Sequence, residues 1–213
     1  MAPAIPSPMS GRRAQAARND ERILESARAV FLADPGAPIT AVAKHAGVGI
    51  SALYTRYGSK EELLRRLCDD GLQLFVDETK AALADDRDEW TMFSAYMRRL
   101  VDADTTSMTL ALAGKFTPTE EMFALAERAN KLVGALFERV RGELRPDADV
   151  HDLSMILEQV AALKVSDRVR TQQLRRRYLT VILDGLRTRD RGELPGPAPT
   201  WQELNERWRQ PKS

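Results

Sequence analysis

Ser51, Tyr54, Thr55, Arg56 and Lys60 lie within ten residues of one another. Two hydroxyls, a phenol, a guanidinium and an ammonium can all donate hydrogen bonds to an anionic polymer. Such groups suit contact with a phosphate backbone and a nucleic-acid groove rather than bond making. The two histidines, His45 and His151, fall in different expected modules, with no nucleophile or metal-ligand spacing around them. There is no P-loop and no GxGxxG preceding a strand, so an enzyme is not expected; a helical enzyme carrying a decorative head is the remote alternative.

The elements that must position these groups follow from the glycines and prolines. A helix ending at Ala46 meets a tight turn at Gly47-Val48-Gly49, a second short helix runs over about 50–57, and Gly58-Ser59-Lys60 stops it and restarts the chain. Two short helices joined by a glycine turn make a helix-turn-helix, whose second helix could seat in a DNA major groove. Upstream, a helix starting near Arg12 or Asn19 runs to Ala33, with Ile23, Leu24, Ala27 and Phe31 as its apolar stripe, and Asp34-Pro35-Gly36 ends it. The helix starting around Pro38 to Thr40 buries Ile39, Val42, Ala43 and Ala46, with Pro38 suited to the first helical position. The helix over 50–57 turns Leu53 and Tyr57 inward. A long helix from Lys60 to about Leu83 presents Leu63, Leu64, Leu67, Gly71, Leu74 and Phe75, with Ser59 and Glu62 spaced as a capping box.

Beyond Asp85 the spacing predicts helices near 88–103, 105–113, 118–143, 150–165 and 171–188, and a short one near 200–208. No segment alternates with period two, so the expected fold is all-α: a three-helix head and a helical bundle. The expected divisions are a disordered tail over 1–11, a DNA-binding domain over 12–59, a ligand-binding and dimerisation domain over 60–188, and a Pro-rich extension over 189–213.

Composition narrows the classes. The 213 residues carry 43% hydrophobic and 30% charged side chains, ordinary for a soluble globular protein. No apolar run could span a bilayer, and the N-terminus lacks the apolar region of a secretory signal, so a cytoplasmic protein without membrane partners is expected. Cys68 is the only cysteine, which excludes an intrachain disulfide and a thiolate zinc cluster; neither cofactor nor metal is expected. Residues 1–60 hold eight Arg and Lys against four Asp and Glu, a net +4, whereas the whole chain nets +1 and the remainder therefore −3. A basic N-terminal module on a slightly acidic body suits a protein that offers one end to a polyanion.

With these residues in place, the chain resembles the TetR-type transcriptional regulators. Ile23-Leu24-x-x-Ala27 and Phe31, Gly36, Val42-Ala43-x-x-Ala46-Gly47-Val48, and Leu53-Tyr54-x-x-Tyr57-x-x-Lys60-Glu61-x-Leu63-Leu64 follow that family's N-terminal pattern in order and spacing over about 55 residues. Further on, Gly114-Lys115-Phe116-Thr117-Pro118-Thr119-Glu120 and Arg177-Tyr178-Leu179 with Leu183-Asp184-Gly185-Leu186-Arg187 are similar to the C-terminal type named after SbtR. The resemblance implies a homodimer, a double-stranded DNA operator and a small-molecule effector of unidentified chemistry. A repressor released by ligand is the main reading, and a dimeric regulator with no effector the alternative. It also implies Thr40, Tyr54, Arg56 and Lys60 as backbone contacts, with Ile50, Ser51 and Ala52 where the family reaches base edges and Gly49 among the DNA-binding positions beside them. Gly49 and Pro38 stand where hydroxyl residues often cap these helices.

The residue types limit what this helix can read. It opens with Ile50-Ser51-Ala52, with no Arg for guanine and no Asn or Gln for adenine, so affinity should rest on phosphates and specificity partly on Thr55, water and DNA shape. Arg12 and Arg13, on a flexible arm, could enter a minor groove or remain solvated. Lysine is electrostatically unfavourable at a helix N-terminus, which asks for an anionic partner near Lys60. In the body, Trp90, Phe93, Met97, Met108, Phe116 and Met122 are candidates for a ligand pocket or for ordinary core. Leu153, Ile156, Val160, Tyr178, Val181 and Ile182 are candidates for a dimer interface, and could equally pack inward.

Overall fold

The structure, a computed structural model, describes residues 8–187 and 192–209, without the side chains of residues 8–14, 16, 207 and 209. Among the described residues the chain is all-α, and it divides into two compact units, Met1–Leu67 and Cys68–Ser213. The division falls inside a helix, beyond the expected boundary at residue 59.

The first unit contains α1 (Pro8–Ala33), α2 (Ile39–Ala46), α3 (Ile50–Tyr57) and the start of α4 (Lys60–Leu83). Ile23, Ala27, Phe31, Val42, Leu53 and Leu63 form its buried core. α1 begins earlier than expected. Residues 8–11 are helical, and the backbone of Arg12 and Arg13 belongs to α1 rather than to a flexible arm; the rest of the expected tail, 1–7, lies outside the described residues. α2 ends on Gly47, whose φ of 64° places it in the left-handed region, and its N–H donates to the carbonyls of Ala43 and Lys44. Only glycine adopts that conformation without steric cost, so the turn into α3 depends on it. Pro38 and Gly49 stand before α2 and α3 and give neither helix a side-chain cap. α4 is capped by Ser59, whose Oγ accepts from the Glu62 N–H at 3.1 Å. The reciprocal half of a capping box is replaced, because the Glu62 carboxylate pairs with Arg65.

The second unit holds the rest of α4, then α5 (Glu89–Ala103), α6 (Thr105–Leu112), α7 (Glu120–Val140) with a 3₁₀ turn at Arg141–Glu143, α8 (Val150–Ala162), α9 (Arg168–Arg187) and α10 (Trp201–Arg209). One apolar cluster joins Met92, Phe93, Tyr96 and Leu100 of α5 to Leu136 and Phe137 of α7, Leu157 of α8, and Leu179 and Leu183 of α9. On α4, Val76 and Thr79 are buried while Leu74, expected inward, is exposed. The start of α8 is fixed by Asp149 and Asp152 as a capping box, and His151 Nδ1 lies 2.8 Å from the Asp149 carboxylate. The acidic cluster around His151 is therefore helix-capping machinery.

The junction between α5 and α6 is tight. Asp104 takes φ 52°, and Arg175 reaches it from α9 although its own side chain is buried. The Arg175 guanidinium donates to Asp104 Oδ1 at 2.8 Å, to Ser107 Oγ at 3.1 Å and to the carbonyls of Leu163 and Ala161 at 3.0 and 2.5 Å. No helix of the described residues is long and apolar enough to cross a membrane.

Candidate nucleic-acid interface

Leu53, fully buried, anchors α3 to the core and turns its remaining surface outward. Gly49, Ser51, Ala52, Tyr54, Thr55 and Arg56 are exposed, Ile50 is half-buried, and Thr40 is exposed at the start of α2. The structure thus brings the expected groove-facing residues onto one short helix. The Thr55 hydroxyl donates to the Ser51 carbonyl at 2.8 Å, which spends its proton and leaves its oxygen free to accept.

Arg56 is held by a residue that sequence spacing did not single out. Asp20 of α1 accepts from Arg56 Nε at 2.7 Å and Nη2 at 2.9 Å, and from the Tyr57 hydroxyl at 2.5 Å. These bonds, the Arg56 pair above all, hold the Asp20 carboxyl down at about 2. Burial, reinforced by the hydrogen bond to Asp20, pushes the Tyr57 phenol upward. Tyr57 is thus half-buried and faces α1, as its position beside Leu53 implied. Two of the five guanidinium N–H groups of Arg56 are used, so three remain for other acceptors.

Lys60 has its partners within the unit. Its Nζ donates to the carbonyls of Ala37 at 2.7 Å and Gly36 at 3.2 Å and stands 5.3 Å from the centre of the Phe31 ring. The favourable partner that a lysine at a helix N-terminus demands is supplied by the α1–α2 loop, which leaves one ammonium proton for anything outside. Arg22 plays a similar part, donating from Nη2 to the Ala46 carbonyl at 2.6 Å, so that α1 clamps the end of α2 just before the turn. Asp20 and Arg22 lie 24 to 37 residues from their partners, beyond any helical periodicity. The side chains of Arg12 and Arg13 lie outside the described residues.

In the second unit the expected pocket residues separate. Phe93, Met97 and Met108 are buried, the first two in the central cluster. Trp90 packs against that cluster beneath the Arg187 guanidinium, 4.8 Å from its ring centre. Phe116 packs on Trp208. Only Met122 lines the apolar cavity, a space of about 110 Å³ whose walls also include Cys68 and Leu72 of α4, Thr109 of α6, and Asn205 and Trp208 of α10. Phe93 and Met97 are packed because α5 is the central helix of the cluster, whereas the cavity is walled by residues of α4, α6, α7 and α10.

The expected interface residues separate in the same way. Leu153, Ile156 and Val160 are buried inside the unit's own core, the inward packing that stood as the alternative to an interface for them. Tyr178 and Val181 are exposed at 48% and 59%, and Ile182 is half-buried. Of these two helices, α9 is the one with outward apolar side chains.

Residues 23–67 match the family model of the bacterial regulatory proteins, tetR family. None of the curated proteins matches the chain. Among solved structures, a TetR transcriptional regulator from Streptomyces coelicolor is 27% identical, with 78% of this chain and 97% of that one covered and a TM-score of 0.55. The ketosteroid transcriptional regulator KstR2 of Mycobacterium tuberculosis shares the fold at 18% identity and a TM-score of 0.63, covering 80% of this chain and 95% of its own. The TetR-like transcriptional regulator LfrR of Mycobacterium smegmatis, solved in complex with proflavine, shares it at 20% identity and a TM-score of 0.53, covering 78% and 96%. The chain carries a TetR-family N-terminal domain at residues 23–67, and its all-α architecture is that of the TetR-type transcriptional regulators.

Proposed function

We propose that this protein is a dimeric transcriptional repressor of the cytoplasm that leaves its operator when a small molecule enters its helical body. The observation that carries the reading is α3, whose exposed Ser51, Ala52, Tyr54 and Thr55 stand on a helix fixed from behind by Leu53. Tyr54 and the three uncommitted N–H groups of Arg56 hold phosphates, with Thr40 and the last proton of Lys60 beside them. Ser51 and the accepting oxygen of Thr55 face base edges, where Thr55 suits an amino group of adenine or cytosine, and Ile50 and Ala52 meet thymine methyls. Gly49 lets the backbone approach closely. With so few reading groups, DNA shape supplies much of the specificity.

Dimerisation through α9 brings two heads to half-sites about a helical turn apart. The exposed Tyr178 and Val181, with the half-buried Leu174 and Ile182 on the same stripe, support this face. The response to ligand is supported by the cavity beside Met122, and by the proflavine bound to the fold relative LfrR. The SbtR-like C-terminal type, carried by residues 114–120 and 177–187, belongs to the same proposal.

Selection of bound fragments from the protein's own genome tests the reading. A palindromic site should emerge, and Arg56→Ala should weaken binding across all sequences while lowering the slope of log affinity against log salt by about 1. Retention of random DNA as strong as that of any genomic fragment would overturn it.

A further inference from the structure

We propose that α10 is a lid over the apolar cavity bounded by α4, α6 and α7, and that the cavity takes an uncharged, single-ring apolar molecule that holds the lid closed. This deepens the ligand-responsive part of the reading above.

The lid is built to form only when docked. α10 has nine residues, fewer than the ~12–15 an isolated helix needs in water. Its start is capped from within, because the Thr200 N–H and hydroxyl both donate to Glu203 Oε2, at 2.7 and 2.8 Å, and the Glu203 N–H donates back to Thr200 Oγ at 3.3 Å. That cap sets where the helix begins without supplying a surface to hold it. The docked face is Leu204, Asn205 and Trp208, with the exposed Trp201 at its edge, at the i, i+3, i+4, i+7 spacing of one helical stripe. Trp208 packs on Phe116 with ring centres 5.9 Å apart, and Trp201 lies 6.5 Å from the His151 ring. Leu204 and Trp208 remain half-buried, so the contact is shallow and reversible.

The lid is also tethered. Arg145 donates to the Gly192 carbonyl at 2.8 Å, and Asp147 accepts from the Leu194 N–H at 2.7 Å, which pins the chain just before the Pro-rich run. The six residues 195–200 then span about 20 Å when extended, so an undocked α10 stays close and closes again rapidly.

The cavity decides what lies beneath. Among the described residues no charged side chain lines it; the polar groups in its wall are the Cys68 thiol, the Thr109 hydroxyl, already donating to the Thr105 carbonyl at 3.2 Å, and, from the lid itself, the Asn205 amide and the Trp208 indole N–H. A charged ligand would lose its hydration without recompense. A volume of about 110 Å³ is of the order of the ~150 Å³ apolar cavity that accepts benzene or xenon in another protein. A molecule seated there touches Trp208, so its binding energy adds to that of the docked lid.

Cys68, the only cysteine of the chain and 6% exposed, lies in the cavity wall and reports on the lid. The test measures its rate of reaction with 4,4′-dithiodipyridine, a small neutral thiol reagent, in the full chain, with and without saturating benzene. Trp208→Ala, and a chain ending at Gly196, should react at least about tenfold faster while keeping the thermal transition of the helical body, and Trp208→Phe should restore the slow rate. Benzene should slow the full chain at least about threefold and leave the shortened chain unaffected. Equal rates in all variants, or a full chain indifferent to benzene, would overturn the proposal. No DNA enters the measurement, so failure of the lid and failure of operator binding are told apart.

Discussion

Asp20 organises the recognition end through three hydrogen bonds, and its acidity follows from them. Donation from Arg56, with a smaller part from Tyr57, holds the carboxyl at about 2 against the ordinary 3.8. Over that interval the unfolded chain binds the proton that the folded chain refuses. The contribution to stability is therefore complete above about pH 3.8 and is lost as pH falls through about 2. Arg56 is well exposed, so solvent screening limits the contribution to on the order of 1 kcal/mol. In acid titrations of the folded protein, Asp20→Asn is expected to flatten this part of the acid limb; an unchanged limb would show that the bonds to Asp20 are not maintained in solution. Lys60 follows the same logic without a titration, since two loop carbonyls and the Phe31 ring compensate its position at the start of α4.

Among elements, the joint between α5 and α6 gathers four hydrogen bonds on one buried side chain. Arg175 satisfies the carbonyls of Ala161, in the last turn of α8, and Leu163, just past its end, and pairs with Asp104 in its left-handed conformation. Removing the guanidinium leaves three acceptors and a carboxylate without their charged donor in a buried place. Arg175→Ala is expected to lower the unfolding free energy by about 3 kcal/mol or more, read as a shift in urea midpoint at constant slope. Asp104→Asn, which keeps a residue type tolerant of positive φ, should cost less. A loss below about 1 kcal/mol for Arg175→Ala would mean that this joint relaxes without penalty.

For the whole molecule, the exposed apolar face of α9 is the basis of the proposed contact between copies. α8 turns Leu153, Ile156 and Val160 inward, so of these two helices α9 is the one that offers an apolar face to the proposed dimer. Val181, 59% exposed, meets its own copy's face twice in such a dimer. Val181→Asp should yield monomers in analytical ultracentrifugation and weaken binding to a palindromic site far more than to a half-site. A variant that remains dimeric would move the interface elsewhere.

Local pattern made the helices and their ends legible. Gly47, Gly58 and Pro35 end helices by backbone sterics alone, and the limits expected for α3 and α4 coincide with those observed. The residues exposed on α3 were legible too, because Leu53 fixes which side of a short helix is buried. Long-range partners were not. Asp20 reaches Arg56, Arg22 reaches Ala46, and Asn205 and Trp208 close a cavity more than 130 residues along the chain from Cys68; no periodicity carries such pairings. Phe93 and Met97 suit a ligand pocket and a packed core equally by residue type, as Leu153 and Val160 suit an interface and a core. Which side of an apolar helix finds a neighbour depends on how the whole chain packs. Sequence alone determined that this chain is helical and carries a TetR-type helix-turn-helix head. Tertiary packing decided which charges are already engaged, which apolar faces are filled, and where a small cavity is left open.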